Sequence, residues 1–481
     1  MNKEISASRN LTMLTDFYQL TMMDGYLSSG IHEEIATFDL FFRQRGQINY
    51  AVAAGLEQAI EYLKDLHFSA EDIEYLRSLN TFTDKFLDYL KDLRFTGDIY
   101  SVREGEIVFP MEPIMIVRAP LIQAQLVETA LLTIISHQTL IATKASRVTT
   151  AAGEGKVIEF GLRRAQGPDA GVYGSRASII GGASATSNVL AAQMFDIAPK
   201  GTHSHSWVLS FPTELDAFNA FADIYPDTCL LLVDTYDTLR SGVPNAIKVF
   251  DRLRKEGHKP LGIRLDSGDL AYLSKKARKM LDDAGYPDAV IFASNDIDEN
   301  LVNALSAQGA KIDMYGVGTK LITSDGMPSL GGVYKLSEIV RDGKSVPRLK
   351  KSDSIEKITN PGFKTVYRIY DKDSGKAFAD LIALRGEKIG KPLTLTHETE
   401  RWKKTTLEDY ESKELLVKVF DGGKLVYDVP TLKESSQYRH DELARFWDEY
   451  KRLVNPHIYK VDLSDGLYEL KQKMLLEGDK A

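Results

Sequence analysis

The sequence predicts an α/β protein whose middle third is built on parallel strands, closed into a barrel in preference to an open sheet. Three observations carry this. Between about residues 150 and 330, short continuous apolar runs alternate with helical stretches, the pattern of strands buried on both faces of a parallel sheet. At least five such units follow one another, and that succession favours a barrel. Each run ends in a polar or glycine-rich segment, and functional loops of parallel α/β folds lie at the carboxyl ends of the strands. The expected organisation is an N-terminal α/β domain over 1–130 and a barrel with the active site over 131–334. A C-terminal β-rich segment with helices, 335–481, is expected to pack back on the N-terminal domain.

In order along the chain, residues 11–30 read as a helix. Thr15-Asp16 forms the cap region, followed by Phe17, Leu20, Met23 and Leu27 at helical spacing. Tyr18 falls off that stripe. It is free either to stack on a flat ligand or to lie on a neighbouring helix or subunit. Residues 37–43 alternate like a strand, and 55–95 are mostly helical. From Gly97 to Arg118 short β segments are broken by Gly105, Pro110 and Pro113. Residues 122–147 read as one or two amphipathic helices. They end in Ala142-Thr143-Lys144-Ala145-Ser146-Arg147, either a helix surface or a phosphate contact. The apolar runs of the middle third are 157–160, 178–180, 230–233, 260–265, 290–293 and 314–315. After Gly331-Gly332 the strand candidates are 346–351, 365–370 and 377–383. Residues 435–475 read as helical, with Phe446, Tyr450 and Leu453 as an apolar stripe. There is no internal repeat and no low-complexity segment.

Composition narrows the function classes. The chain is 43% hydrophobic and 27% charged, that of an ordinary soluble globular protein. No apolar run approaches the ~20 residues of a membrane span. Met1-Asn2-Lys3-Glu4-Ile5 lacks the apolar core of a signal peptide. Cys229 is the single cysteine, so a disulfide framework and a CxxC metal site are excluded. The expected compartment is the cytoplasm. The net charge of −8 argues against non-specific nucleic-acid binding, which needs a basic face. An anionic ligand must be met by local arginines, lysines and backbone amides.

Four stretches carry candidate chemistry. Gly201-Thr202-His203-Ser204-His205-Ser206-Trp207 places two histidines among small residues. Small neighbours leave N–H groups accessible to an anion, and histidine can trade protons or accept a phosphoryl group. A loop with two structurally bonded histidines fits the same residues. Gly316-Val317-Gly318-Thr319, followed by Gly331-Gly332, reads as a phosphate cradle or as a tight βα turn. Neither GxxxxGK[ST] nor GxGxxG occurs. Arg264 and Asp266 fall on one face by alternation, a guanidinium for a carboxylate or phosphate. Asp266 and Asp269 suit ribose hydroxyls or a Mg²⁺ arriving on a phosphate; a salt bridge plus a helix cap is the alternative. Phe160 with Arg163 and Arg164 offers a flat face beside cations, which suits an aromatic carboxylate; a core phenylalanine with two surface arginines would look the same. Nothing in the spacing of Glu154, Glu159 or Asp234 marks them as catalytic, and no metal-ligand cluster is visible.

The run from Glu159 through Phe160-Gly161-Leu162-Arg163-Arg164 to Asp169 resembles nicotinate phosphoribosyltransferases. So do Thr15-Asp16-Phe17-Tyr18-Gln19-Leu20-Thr21-Met22, Gly201-Thr202-His203-Ser204-His205-Ser206, Arg264-Leu265-Asp266-Ser267-Gly268-Asp269 and Tyr315-Gly316-Val317-Gly318-Thr319. Order and spacing match from about residue 11 to about 370, whereas the last hundred residues carry no such motif. The resemblance implies an irregular α/β barrel beside an N-terminal α/β domain. It implies conversion of nicotinate and phosphoribosyl diphosphate to nicotinate mononucleotide and diphosphate, with ATP as cosubstrate and Mg²⁺ accompanying the phosphates.

The resemblance further implies that His205, not His203, is phosphorylated by ATP. Phe160 would stack on the pyridine ring, with Tyr18 contributed across a homodimer with shared active sites. Arg264 and Asp266 would bind on the ring and ribose side, and Gly316, Gly318 and Thr319 the 5′-phosphate. Arg163 and Ser184 complete the expected substrate-binding set, and Asp266 is counted with His205 as catalytic. Base choice follows from charge. Related nicotinamide enzymes carry an aspartate in the loop after the glycine pair, but Gly181-Gly182-Ala183-Ser184-Ala185-Thr186-Ser187 has no acid. An acid there would repel a carboxylate, so nicotinate is favoured over nicotinamide. A noncatalytic binder of a phosphorylated metabolite is the reading from another class.

Overall fold

The computed structural model describes residues 10–43, 49–354, 357–397 and 400–477; the N-terminal pentapeptide read above lies outside them. The chain divides into two compact units. One comprises residues 144–328, and the other the described residues before 144 together with those after 328.

The first unit is organised on six parallel strands. Their order is Ala185–Thr186, Val157–Glu159, Met314–Val317, Val290–Ser294, Gly262–Leu265 and Leu230–Leu232. Their apolar side chains are buried, apart from half-buried Val290 and Met314 at the strand starts, as expected for a parallel sheet covered on both faces by helices. Each strand runs into a polar segment and then a helix. The ladder is open: Ala185–Thr186 and Leu230–Leu232 are its edges, and no closed barrel forms among the described residues. The segment 198–203 nevertheless bonds to both edges. Thr186 donates its N–H to Ala198 O and accepts from Lys200 N at 2.9 Å. On the other side Thr202 Oγ1 donates to Leu230 O at 2.7 Å, and Leu232 N to His203 Nε2 at 3.3 Å.

One expectation for this unit is corrected. Residues 178–180 are not a strand but the last turn of the helix Pro168–Ile180. Pro168 opens that helix, where its missing N–H costs nothing, and the small residues Gly171, Gly174, Ser175, Ala177 and Ser178 form its buried face. A short apolar triplet cannot by itself be told from a buried helical turn. The basic run at 142–147 lies within helix Glu128–Ala152. Lys144 Nζ and Arg147 Nε hold the two oxygens of buried Glu299 at 2.8 and 3.1 Å.

The second unit contains a seven-stranded antiparallel sheet. Its order is Lys344–Pro347, Gly332–Arg341, Ile35–Phe42, Met115–Pro120, Asp98–Ser101, Val417–Asp421 and Lys424–Leu425. Strand Gly332–Arg341 pairs with Ile35–Phe42, so the segment after residue 328 returns to the N-terminal region. Seven of the eight residues of Ile35–Phe42 are buried, including Asp39, which pairs with fully buried Lys364 at 2.8 Å. A four-stranded sheet (Glu411–Glu414, Lys364–Tyr370, Ala377–Leu384, Lys460–Leu463) follows. In it fully buried Arg368 bridges Asp380 at 2.6 Å and Glu106 at 2.5 Å.

Three further readings change here. Helix Phe17–Ser28 buries Gln19, Leu20, Met23 and Leu27, but Phe17 is 53% exposed and leaves the stripe. Of the strand expected at 346–351 only 346–347 are in a strand, at the end of Lys344–Pro347. The 435–475 stretch is helical at Leu432–Ala444, Asp448–Lys451 and Asp465–Glu477, with strand Lys460–Leu463 between. That strand reads as polar but pairs in parallel with Ala377–Leu384. No helix among the described residues is long and apolar enough to cross a membrane.

Candidate active site

Three neighbouring strands of the parallel sheet end in side chains that bond one another across the sheet. Alternation puts Arg264 and Asp266 on one face, and the two are joined, Arg264 Nη2 donating to Asp266 Oδ1 at 2.8 Å. On the adjacent strand, Ser294 Oγ accepts from Arg264 Nε at 2.9 Å and donates to Asp266 Oδ1. Burial pushes the Asp266 carboxyl up. The Ser294 hydroxyl and the Arg264 guanidinium outweigh it and hold the group below the ordinary aspartate range.

Asp234 follows strand Leu230–Leu232 and organises the other side. Its side chain is only 2% exposed. Oδ2 accepts from the Asp266 backbone N–H at 2.9 Å and from Ser267 Oγ at 2.6 Å. Oδ1 lies 3.2 Å from His205 Nε2. A carboxylate can only accept, so His205 donates from Nε2. Nδ1 then carries the lone pair and has no hydrogen-bond partner among the described residues. His205 opens the short helix His205–Leu209, and its side chain is 41% exposed.

His203 is built differently. It is 8% exposed, stands edge-on to Phe221 with ring centroids 4.8 Å apart, and accepts the Leu232 N–H on Nε2. Its Nδ1 faces Ser204 O at 3.4 Å. Burial pushes its pKa down to about 4, against the Ser204 carbonyl, so this ring stays neutral. Of the two histidines, one is a structural bond between loop and sheet edge, and the other is exposed with a free nitrogen.

The ring of Phe160 packs on Phe292 with centroids 5.6 Å apart and planes 30° apart, and the Arg264 guanidinium lies 5.6 Å from the Phe160 centroid. Gly316 lies within strand Met314–Val317. A Cβ there would sit 2.6 Å from Phe160 Cδ2 and 2.7 Å from Phe292 Cε1, so glycine leaves the room the two rings occupy. Gly318 and Thr319 lie just beyond that strand, at the start of the turn Thr319–Ile322.

The remaining candidates sit as follows. Arg163 is exposed on the turn Leu162–Arg164. Ser184 is exposed, with Oγ donating to Val157 O at 3.0 Å. Glu159 is fully buried and accepts from Ser175 Oγ at 3.0 Å, Thr186 Oγ1 at 2.5 Å and the Gly161 N–H. Burial raises its carboxyl above the ordinary range, and its oxygens are spent on framing the loop. Asp269 caps helix Leu270–Asp283 through the Tyr272 N–H at 2.9 Å. Both halves of the alternative reading of 264–269, salt bridge and cap, are therefore real. Gly332 opens an antiparallel strand of the other unit. Tyr18 also belongs to that unit; it is 48% exposed, and burial with the Glu128 and Asp16 carboxylates pushes its phenol up to about 12. Sequence reasoning left Asp234 without a role and passed over Ser294, the residue after the apolar run 290–293; position at the carboxyl end of a strand was their one signal.

Comparison with known proteins sets this arrangement in a family. Residues 13–136 match the nicotinate phosphoribosyltransferase (NAPRTase) N-terminal domain, and 363–471 match the NAPRTase C-terminal domain. A nicotinate phosphoribosyltransferase of Bacillus subtilis (strain 168) is 48% identical over 475 residues, 97% of this chain and 96% of the relative. One from Dictyostelium discoideum is 36% identical over 97% of this chain and 88% of its own. The crystal structure of human nicotinic acid phosphoribosyltransferase superposes with a TM-score of 0.85 at 30% identity, covering 96% of this chain and 99% of that one. Nicotinate-nucleotide pyrophosphorylase from Pyrococcus furiosus, at 22% identity and a TM-score of 0.68 over 92% and 97% of the two chains, shares the fold. Fold and sequence thus define a phosphoribosyltransferase. More narrowly, the chain belongs to the nicotinate phosphoribosyltransferase family, and the match at 363–471 extends that membership into the segment where no motif was read.

Proposed function

We propose that the protein joins nicotinate to phosphoribosyl diphosphate, giving nicotinate mononucleotide and diphosphate as a step of NAD biosynthesis, coupled to ATP hydrolysis through His205. The observation that carries the coupling is the His205–Asp234 pair. With Nε2–H held by Asp234, the Nδ1 lone pair attacks the γ-phosphorus of ATP; the P–O bond to ADP breaks and ADP leaves. The buried carboxylate steadies the positive ring of the phosphoimidazole, and later hydrolysis returns phosphate. Phe160 supplies the face for the pyridine ring, Arg264 the cation for its carboxylate, and Arg163 and Ser184 complete the binding set. Asp266 faces the sugar, whose anomeric carbon becomes cationic as diphosphate departs, and a carboxylate held ionised stabilises that charge. Gly318 and Thr319, with Gly316 behind the ring, serve the 5′-phosphate side.

No group of three or more His, Cys, Asp or Glu that could hold a metal occurs among the described residues. Mg²⁺ is read as arriving on the phosphates of ATP and phosphoribosyl diphosphate. Segment 198–203, bonded to both sheet edges, supports reading the sheet as an irregular barrel. Tyr18 is read as the second stacking ring, contributed across a homodimer. The base is read as nicotinate because the 181–187 loop carries no acid and Glu159 beside it is spent on Ser175, Thr186 and Gly161. His205→Ala tests the reading. ATP stimulation of mononucleotide formation should vanish while some basal transfer remains; stimulation equal to wild type would remove His205 from the mechanism.

A further inference from the structure

Ser294 is the last residue of strand Val290–Ser294, which runs beside Gly262–Leu265 in the register Phe292–Arg264 and Ala293–Leu265. Its hydroxyl has one proton and two acceptor sites. The Arg264 Nε–H, at 2.9 Å, can only donate, so it takes an acceptor site. The single Ser294 proton is then directed to Asp266 Oδ1, which also accepts Arg264 Nη2–H at 2.8 Å. The three side chains form a closed ring of hydrogen bonds with only one allowed polarity. Arg264 Nη1 and Asp266 Oδ2 are left as the groups with no hydrogen bond among the described residues. Ser294 itself is 4% exposed. Immediately beyond it the chain turns through Asn295 at φ 102° and Asp296 at φ 41°, left-handed conformations that non-glycine residues adopt only when held there.

We propose that Ser294 is a positioning residue of the phosphoribosyl transfer, aiming Arg264 Nη1 and Asp266 Oδ2 at the substrate while touching none of it. This rests on the nicotinate reading above. The charged and titratable groups that face Asp266 are Arg264 from the strand before it, and His205 and Asp234 from the neighbouring loops. Alanine at 294 removes one hydrogen bond to the ionised carboxylate and leaves those charges in place, so protonation becomes easier. Asp266 then takes up its proton at higher pH, and the acid limb of the activity profile moves to higher pH. The guanidinium, having lost its Nε partner, also holds nicotinate less well.

The test compares Ser294→Ala and Ser294→Thr with wild type. One readout is kcat/KM for nicotinate against pH. A second, independent of turnover, is the ¹³C titration of the Asp266 carboxyl in protein without substrates, assigned with Asp266→Asn. In Ser294→Ala the acid limb and the carboxyl titration should both rise by roughly one pH unit, with KM for nicotinate raised more than kcat is lowered. Ser294→Thr, which keeps the hydroxyl, should restore both. An alanine variant with unshifted limb and titration, or a threonine variant as shifted as alanine, overturns the proposal. Absence of any product from nicotinate with wild type would instead sink the functional reading, and the carboxyl titration would still decide the role of Ser294.

Discussion

Asp234→Asn is the substitution whose outcome the geometry constrains most. The wild-type carboxylate accepts three hydrogen bonds, one from His205 Nε2 on Oδ1 and two from the Asp266 N–H and Ser267 hydroxyl on Oδ2. Asparagine has a single acceptor oxygen. The two loop donors claim it, so the amide NH₂ faces His205. It donates to Nε2, and the ring proton moves to Nδ1, the nitrogen that must attack ATP. Loss of the charge-assisted bond alone costs about 1.5–3 kcal/mol, or about 10- to 150-fold at ~1.4 kcal/mol per tenfold. The wrong tautomer adds to this. The ATP-dependent increment in rate should therefore fall at least about tenfold, while transfer without ATP stays within about threefold, because the loop bonds to residues 266 and 267 survive. The assay is parallel measurement of ADP release and mononucleotide formation, with and without ATP. Full ATP stimulation in Asp234→Asn would refute the assignment of Asp234 as the group that sets the His205 tautomer.

Two further outcomes are expected. His203 stays neutral in the folded protein, its pKa pushed from the ordinary 6.5 down to about 4. The unfolded chain therefore binds a proton there that the folded one does not, and stability is lost as pH falls from about 6.5 to about 4, by at most ~1.4 kcal/mol per unit. Denaturation midpoints at pH 7 and 4.5 should differ less in His203→Gln than in wild type, with ATP stimulation retained; equal pH dependence in both would contradict the structural role. Gly316→Ala places a methyl 2.6 Å from Phe160 and 2.7 Å from Phe292. The rings must shift, so KM for nicotinate should rise on the order of tenfold while His205 phosphorylation by ATP is unchanged. An unaltered KM would mean that Phe160 does not hold the base.

The parts of this protein that were legible from sequence are those where local pattern and burial agree. Strands Leu230–Leu232, Val290–Ser294 and Met314–Val317 are largely apolar runs that give way to polar or glycine-rich loops, the pattern a parallel sheet demands, and Gly262–Leu265 departs from it only at Arg264. Ala185–Thr186 is a two-residue edge strand of small residues with no pattern to read. The triplet at 178–180 is apolar because its helix is buried, not because it is a strand. Lys460–Leu463 looks polar because its pairing partner, Ala377–Leu384, is some eighty residues away and supplies the burial. Within the candidate site, Arg264 and Asp266 were found by alternation, which needs one strand only. Asp234 and Ser294 act through residues about thirty positions away on neighbouring strands, and no spacing rule within one segment reveals that. The choice of His205 over His203 came from the family motif. The structure adds a physical distinction: one ring spends its Nε2 on the sheet edge, and the other leaves a nitrogen free.

The most direct test of the account is the initial rate of mononucleotide formation from phosphoribosyl diphosphate, with nicotinate and nicotinamide offered in parallel, with and without ATP. The account predicts product from nicotinate alone, at a rate that ATP increases. Product chiefly from nicotinamide would contradict the reading of the acid-free loop, and product from neither base would leave a binding protein in place of an enzyme.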